Sequence, residues 1–358
     1  MRRSDRRFLV VDGRSPGEML NGVLSGRIPP PLRSSGEGWS EGEAPYSTML
    51  TPKGKMVTDL RLLPFQGGVF LMDLPRAGME GALRHLRKYL NPRFAQAADR
   101  SDELGMISVV GPDGPGLVSG ALGYDVRAPG EGELLLYQGK PGPDLRLLGN
   151  SEVRPVAMDL LLPMESLAEV WERLEEAGVR PMDTPSWDVL RIERGTPLFG
   201  VDMTEETLPV EAGIHLRAID YQKGCYIGQE VIVRIRDRGK VNKSLRWILL
   251  GDTPVPSGGA DLYLPEDLPP PDSILEDDPP AGEPVMGGSQ DPERGGRKAG
   301  WVTSACRSPR FGETVALGFI KRAVPMGSEV RLGEPLGPRG RVEALDWDGK
   351  RESSLPGA

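Results

Sequence analysis

Ten consecutive residues, Tyr221 to Glu230, bring together a thiol (Cys225), an ammonium group (Lys223), a carboxylate (Glu230), a side-chain amide (Gln229) and two phenols (Tyr221 and Tyr226). A cation close to a cysteine favours the thiolate, which is the nucleophilic form. Cys225 is therefore the candidate nucleophile and Lys223 the group that favours its thiolate. The competing reading of Cys225 is a small apolar residue packed behind a turn. Lys223, Gln229 and Glu230 could equally pair with one another or contact a ligand. Gly224 and Gly228 punctuate the stretch, and glycine permits a positive φ or the close approach of another group.

Something rigid must hold such a loop, since working residues are commonly carried on loops framed by regular elements. Downstream, Val231-Ile232-Val233-Arg234-Ile235-Arg236 alternates in the manner of a strand, so the loop is expected to feed one. Upstream, Pro185 to Gly195 predicts a helix that stops at the glycine; Glu193, in its last turn, reads by itself as a solvated helix residue. Nearer the N-terminus, Tyr46–Leu50 and Met56–Leu63 predict a hairpin with Thr51-Pro52-Lys53-Gly54-Lys55 at its tip. Leu83, Leu86 and Leu90 recur at helical spacing and predict an amphipathic helix over 78–90, with His85 inside it as a packing or surface residue. A second such helix is expected over 164–177. Short strands are expected near 105–110, 116–121 and 133–137, with a mobile loop over 26–44 and a Gly/Pro linker over 138–150. Beyond Val231 the chain is β-rich, and segments starting at Leu245, Ala299, Val315, Glu329 and Arg341 predict a small barrel or sandwich. Residues 252–298, rich in Pro, Asp, Glu and Gly, interrupt it and read as a disordered insertion. No internal repeat is visible.

The chain has 358 residues and a formal net charge of −8. Its length suits two or three domains, and its acidic balance argues against a nucleic-acid surface. No run of about 18 apolar residues exists, so no membrane span is expected. The basic start, Met1 to Arg7, is not followed by the apolar core of a signal peptide; the expected location is the cytoplasm. With two cysteines and two histidines, a site of four thiolates is excluded. No metal is expected, and the thiols read as free in a reducing compartment.

Lys223-Gly224-Cys225-Tyr226-Ile227-Gly228-Gln229-Glu230 matches the pattern KGCYxGQE, and in this the chain resembles the YgfZ family. These are folate-binding proteins related in fold to the T-protein (aminomethyltransferase) of the glycine cleavage system. Arg191 to Asp202 is similar to the superfamily's R-x-E-x-G-x-P-x-x-G-x-D element, and Thr207 to Gly213 to its T-x-P-x-E-A-G. The resemblance implies an α+β fold, a three-domain, cloverleaf-like GcvT/YgfZ arrangement with a C-terminal β-barrel around a central hole that binds tetrahydrofolate or a one-carbon derivative. Expected boundaries are 1–245 for two interleaved folate-binding α+β domains, with 246–251 and 299–350 for the barrel. The family's pterin-binding glutamate matches Glu193. A carboxylate suits adjacent N–H donors on a pterin edge. Tyr221 and Tyr226 are candidate walls for the ring, and Lys223, Arg234 and Arg236 candidate partners for the anionic folate tail.

One departure separates the chain from the aminomethyltransferases. Where they carry an Asp-Asp pair after the N-terminal hairpin, this chain has Thr58-Asp59. The expected function is accordingly a tetrahydrofolate-binding protein that supports iron–sulfur protein assembly or repair, with links to tRNA modification, a working thiol at Cys225, and cluster-assembly or client proteins as partners. Two alternatives stand beside it: a folate-dependent aminomethyltransferase that uses Asp59, and a non-catalytic scaffold for cluster-assembly partners.

Overall fold

The computed structural model describes residues 1–139, 144–239, 241–265 and 296–345. The described chain divides into two units. The first comprises Met1–Trp187 and Leu198–Gly239; the second takes Asp188–Pro197 and the described residues from 241 onward.

The first unit is built twice on one plan. Its first half runs β1 (Arg6–Asp12), α1 (Pro16–Val23), β2 (Arg33–Gly36), β3 (Trp39–Glu43), β4 (Tyr46–Leu50), β5 (Met56–Pro64), β6 (Phe70–Pro75), α2 (Met79–Tyr89) and β7 (Gln96–Asp99). The second half runs β8 (Leu104–Val110), α3 (Gly114–Leu122), β9 (Glu133–Tyr137), β10 (Leu145–Gly149), β11 (Ala157–Pro163) and α4 (Leu167–Glu176). One sheet has the order β4-β5-β6-β1-β7 and the other β2-β3-β9-β10-β11-β8. The cores β4-β5-β6-β1 and β9-β10-β11-β8 are therefore equivalent, each with a helix after its first and last strand in sequence. The sequence showed no such repeat, because the halves share a plan of burial and not a pattern of residues.

Strand side chains alternate between faces, and the two faces have different tasks here. Leu9, Leu60, Leu62, Met72 and Leu74 pack with Leu20, Ala82 and Leu86 of α1 and α2. Leu147, Leu160 and Leu162 pack with Val118, Val170 and Leu174 of α3 and α4. The opposite faces meet each other through Phe8, Leu63, Leu71, Met106, Leu148 and Leu161. Charged groups are buried in that inter-sheet layer. Arg6 Nε donates to Asp73 Oδ1 at 2.7 Å and Arg61 Nε to Asp73 Oδ2 at 2.7 Å. Arg61 Nη1 pairs with Asp159 Oδ2 at 2.7 Å, outside hydrogen-bond geometry. Ser108 Oγ and Asn150 Nδ2 donate to Asp159 Oδ1 at 2.5 and 2.8 Å.

After α4 come α5 (Thr184–Arg194), α6 (His215–Ala218) and α7 (Gln229–Arg238). The second unit is a closed barrel of β12 (Lys243–Leu249), β13 (Asp261–Tyr263), β14 (Lys298–Arg307), β15 (Thr314–Lys321), β16 (Glu329–Leu332) and β17 (Arg339–Glu343), in the order β12-β15-β14-β13-β16-β17. Ile248, Val302, Ala316, Ile320, Val330 and Val342 fill it. The α+β class and the C-terminal barrel are thus those expected.

Several expectations are corrected. The stretch 231–236 is helical, within α7: fully buried Ile232 and half-buried Ile235 are three apart, and the same run satisfies either period. Residues 116–121 lie in α3, which a proline opens in its first turn and which buries Val118 and Leu122 on one side. The supposed loop 26–44 contains β2 and β3, and the supposed linker contains β10, with 140–143 outside the described residues. Within the supposed insertion, Asp261–Tyr263 pairs with β14 and β16, which closes the barrel; residues 266–295 and 346–350 lie outside the described residues. Asp188–Pro197, expected in the folate-binding region, belongs with the barrel: Ile192 packs on Leu245, Trp247 and Leu249, and Trp247 Nε1 donates to the Ile192 carbonyl at 2.8 Å.

The inter-sheet charges yield a stability test. Arg6 and Arg61 hold the Asp73 carboxyl down at about 2 against burial, which opposes ionisation. Because the folded value lies below the ordinary one, the contribution is whole above the ordinary carboxylate range and is lost as pH falls through about 2. Asp73→Ala takes the shared carboxylate from two arginines, leaving Arg61 only Asp159 and Arg6 only Glu152 at 3.6 Å, and should lower the unfolding free energy by about 3–5 kcal/mol, measured by urea titration. A loss well under 1 kcal/mol would show that water already serves these arginines.

Candidate functional site

Asp59 lies on β5 opposite Thr48 of β4. Its side chain is buried, and Tyr46 Oη donates to Oδ2 at 2.7 Å. Oδ1 is buried without a partner. Burial raises the carboxyl's pKa, against the opposing pull of Arg6 and the Tyr46 hydrogen bond; Glu152 adds to the rise. Burial and the neighbouring carboxylate also push Tyr46 well above the ordinary phenol range, so it remains a donor. Above the Tyr46 ring, 5.1 Å from its centroid, lies the Arg217 guanidinium. Glu131 holds Arg217 at 2.6 Å, and Ser151 Oγ accepts from its Nη2. The result is a buried acid with one oxygen oriented and the other free. Thr58 faces the other way, toward the start of α2, where a Cβ on Gly78 would come within 1.9 Å of Thr58 Oγ1. An acid at position 58 would therefore not stand beside the Asp59 carboxyl.

The cysteine loop is fastened on both sides of the thiol. Before it, Lys223 Nζ donates to the carbonyls of Leu24 and Gly26, each at 2.8 Å. After it, Ile227 N donates to Gly22 O at 3.1 Å. Gly228 has φ +84°, and a Cβ there would sit 2.5 Å from Thr51 O, so this position requires glycine and docks the loop on the hairpin tip. Gly224 has neither a positive φ nor a close neighbour. Cys225 between these anchors is exposed, whereas Cys306 is buried and its thiol pushed up to about 12, chiefly by burial. Burial brings Lys223 down to about 8, with Asp220 opposing. Two of its three N–H groups are spent on carbonyls, which makes it the staple of the loop more than a free cation for the thiol.

Tyr226 is buried among Leu50, Met56, Phe199, Met203 and Ile232, and its hydroxyl has no partner. Burial and Tyr221 push it up to about 12. Tyr221 is half-buried, with the Arg236 guanidinium 5.0 Å from its ring centre. Arg234 and Arg236 are exposed on α7, and Arg236 Nε bonds Asp237 at 2.6 Å.

Glu193 belongs to the second unit and is buried. Oε1 accepts from Ser308 Oγ at 2.5 Å and from Arg310 N at 3.0 Å. Ser308 Oγ in turn accepts from Phe311 N at 3.0 Å. A carboxylate at a helix C-terminus is electrostatically disfavoured, and these donors from the β14–β15 loop offset that cost. Both lone pairs of Oε1 are used, which leaves Oε2 as the accepting oxygen. Arg191 bonds Asp188 at 2.5 Å and reaches the Thr196 carbonyl, and Gly195, at φ +79°, ends the helix against Trp247. In the first unit, Asp202 Oδ2 and Glu211 Oε2 accept from Leu198 N and Leu208 N, each at 3.0 Å. These motif acids hold turns.

Lys223, Cys225, Tyr226 and Tyr221 are thus brought together on one loop, and Glu193 is built separately on the barrel's unit. Sequence reasoning missed Tyr46, Arg217, Ser308 and Arg310. Tyr46 carried one signal: it faces β5 across the hairpin near Asp59. No group of three or more His, Cys, Asp or Glu among the described residues is placed to hold a metal, and no helix among them is long and apolar enough to cross a membrane.

Fold and site together define a mixed α/β protein with a closed six-stranded barrel and two buried, oriented carboxyls, each with a free oxygen. Residues 273–342 match the family described as the glycine cleavage T-protein C-terminal barrel domain. An aminomethyltransferase of Rubrobacter xylanophilus is 26% identical over 318 residues, covering 89% of this chain and 77% of that one. The aminomethyltransferase of Ralstonia pickettii is 28% identical over 353 residues, covering 90% and 79%. That of Stenotrophomonas maltophilia strain K279a is 30% identical over 212 residues, covering 58% and 57%. The crystal structure of glycine cleavage system aminomethyltransferase T from Bartonella henselae shares the fold, with a TM-score of 0.74 at 19% identity over 97% of this chain and 85% of that one. The chain thus has the fold and barrel of the T-protein-like superfamily.

The Tyr46–Asp59 pair can be tested directly. Tyr46→Phe removes a donor that favours the charged carboxylate, so the Asp59 pKa should rise further. Carboxyl carbon NMR titration reads this; an unchanged value would mean that the hydrogen bond has no hold on the acid.

Proposed function

We propose that this chain binds tetrahydrofolate and transfers to it the one-carbon unit of an aminomethyl-loaded carrier, with release of ammonia, in the manner of an aminomethyltransferase. The observation that carries the reading is Asp59, a buried carboxyl with Oδ2 held by Tyr46 and Oδ1 free. Burial lets it keep its proton to higher pH than an ordinary aspartate, the property wanted in a group that passes a proton to a departing amine. The names of the relatives support the same reading. Tetrahydrofolate would supply the nucleophilic nitrogen that accepts a one-carbon unit. Its pterin fits Glu193, whose carboxylate is fixed in orientation and keeps Oε2 for an N–H donor. Tyr221 and the Tyr226 hydroxyl are further candidates for contact with it, and Arg234 and Arg236 for its anionic tail.

A second reading has its own observation. Cys225 is exposed on a loop fastened before and after it, a placement that suits a working thiol and the YgfZ-type role in iron–sulfur protein assembly or repair. Folate binding is common to both readings, and the fate of the thiol separates them.

Tetrahydrofolate titrated calorimetrically into the purified chain should bind saturably, and Glu193→Ala should weaken it at least about tenfold, the worth of a hydrogen bond to a charged group. Absence of binding in the parent would end both readings and favour a scaffold. Asp59→Asn should keep folate affinity and lose folate-dependent ammonia release from an aminomethyl-loaded lipoyl carrier, while Cys225→Ala keeps both. Loss of in vivo iron–sulfur enzyme activity in Cys225→Ala, with no ammonia release in the parent, would overturn the first reading in favour of the second.

A further inference from the structure

The duplicated plan of the first unit gives each position in one half a counterpart in the other. Asp73 stands opposite Phe8 and Arg61, and Asp159 opposite Ser108 and Leu148. Two steps back along each neighbouring strand, Asp59 stands opposite Thr48 and Arg146 opposite Leu136. Arg146 is thus the counterpart of Asp59. It shares the inter-sheet face with Leu148, as Asp59 does with Arg61 and Leu63. One half carries a buried acid at this position and the other a buried base.

The surroundings of Arg146 differ from those of the other buried arginines. Arg3, Arg6 and Arg191, and half-buried Arg61 as well, each pair with a carboxylate within 3 Å. Arg146 is 4% exposed, and among the described residues its side chain has neither an ion pair nor a hydrogen bond. Its Nε is buried without a partner. The guanidinium lies over the Phe65 ring, 4.1 Å from the centroid. Asp144, the one carboxylate whose charge bears on it, accepts from Gln138 at 3.0 Å. Burial lowers Arg146 to about 10, so it is still a cation at neutral pH. Phe65 follows β5 six residues beyond Asp59, roughly 20 Å along an extended chain. Arg146 and Asp59 therefore mark opposite ends of the layer.

A largely buried guanidinium whose Nε is sealed from solvent without a partner is costly, and such a group calls for an explanation. Stacking on Phe65 occupies its face and leaves its edge, the part that matches a carboxylate or phosphate. We propose that Arg146 anchors a second ligand site, at the end of the inter-sheet layer remote from Asp59, for a small oxyanion such as phosphate or a carboxylate. Phe65 is its apolar floor. The site is independent of the folate reading.

Arginine Nε–H spectra of the nitrogen-15-labelled full chain test it. Inorganic phosphate and acetate are titrated separately at fixed ionic strength, with chloride as the control, beside Arg146→Met, which keeps a stem over Phe65. The Nε–H signal absent from the variant should move saturably with phosphate or acetate and not with chloride. The melting temperature should rise over the same concentrations, and the variant should bind at least about tenfold more weakly. Preference for one of the two anions identifies the class of ligand. A signal that neither anion moves, or an undiminished thermal response in the variant, overturns the proposal. If the variant does not fold, the parent spectrum decides alone, its signal assigned by backbone connectivity.

Discussion

The pairing of Asp73 with Arg6 and Arg61, and of Arg61 with Asp159, holds the two sheets of the first unit in one register. These four charges, set among leucine, phenylalanine and methionine, each meet an opposite charge, which offsets the cost of burying them. Slipping a strand by one residue would turn Arg61 toward α2 and bring Leu62 into the charged layer, since strand side chains alternate. The groups at either end of the layer follow from this registration. Asp59 lies two residues from Arg61 on the same face, and Arg146 two residues from Leu148. Neither is held by an opposite charge, and each has a buried atom without a partner.

Most acids and glycines of the recognised motifs are structural. Asp202 and Glu211 close turns, Gly195 ends α5 against Trp247, and Gly228 lets the cysteine loop meet Thr51. Gly228 thereby places the loop that exposes the Cys225 thiol, and Gly195 ends the helix that carries Glu193. A threonine in place of an acid at position 58 bears little on proton handling at Asp59, because Thr58 and Asp59 point to opposite faces of β5. A threonine at 58 removes a carboxyl from beneath α2 and leaves the Tyr46–Asp59 pair intact.

Duplication explains how one unit can carry unlike sites. The helices and apolar faces of the halves are interchangeable, since burial asks only for volume and alternation. The charged positions are not, and there the halves have diverged: Arg61 and Asp59 in one, Leu148 and Arg146 in the other. Tyr46, which orients the acid, has Leu134 as its counterpart, which has no hydrogen bond to offer.

The class of the fold came with the resemblance to a known family; the sequence by itself determined the hairpin that carries Asp59, the amphipathic helices α2 and α4, the stop of α5 at Gly195 and the loop that carries Cys225. These are local matters, set by periodicity, by glycine and by the spacing of a motif. It misassigned 231–236 and 116–121, because a short apolar run fits a period of two and a period of three to four equally well, and only the neighbours choose. Tertiary structure alone decided the rest. The hydroxyl and amide on Glu193 and the two carbonyls under Lys223 come from residues distant along the chain, and among the described residues the fold brings no partner to Arg146 Nε. Whether a buried charge is satisfied depends on what the fold brings opposite to it, and no spacing along a strand records that.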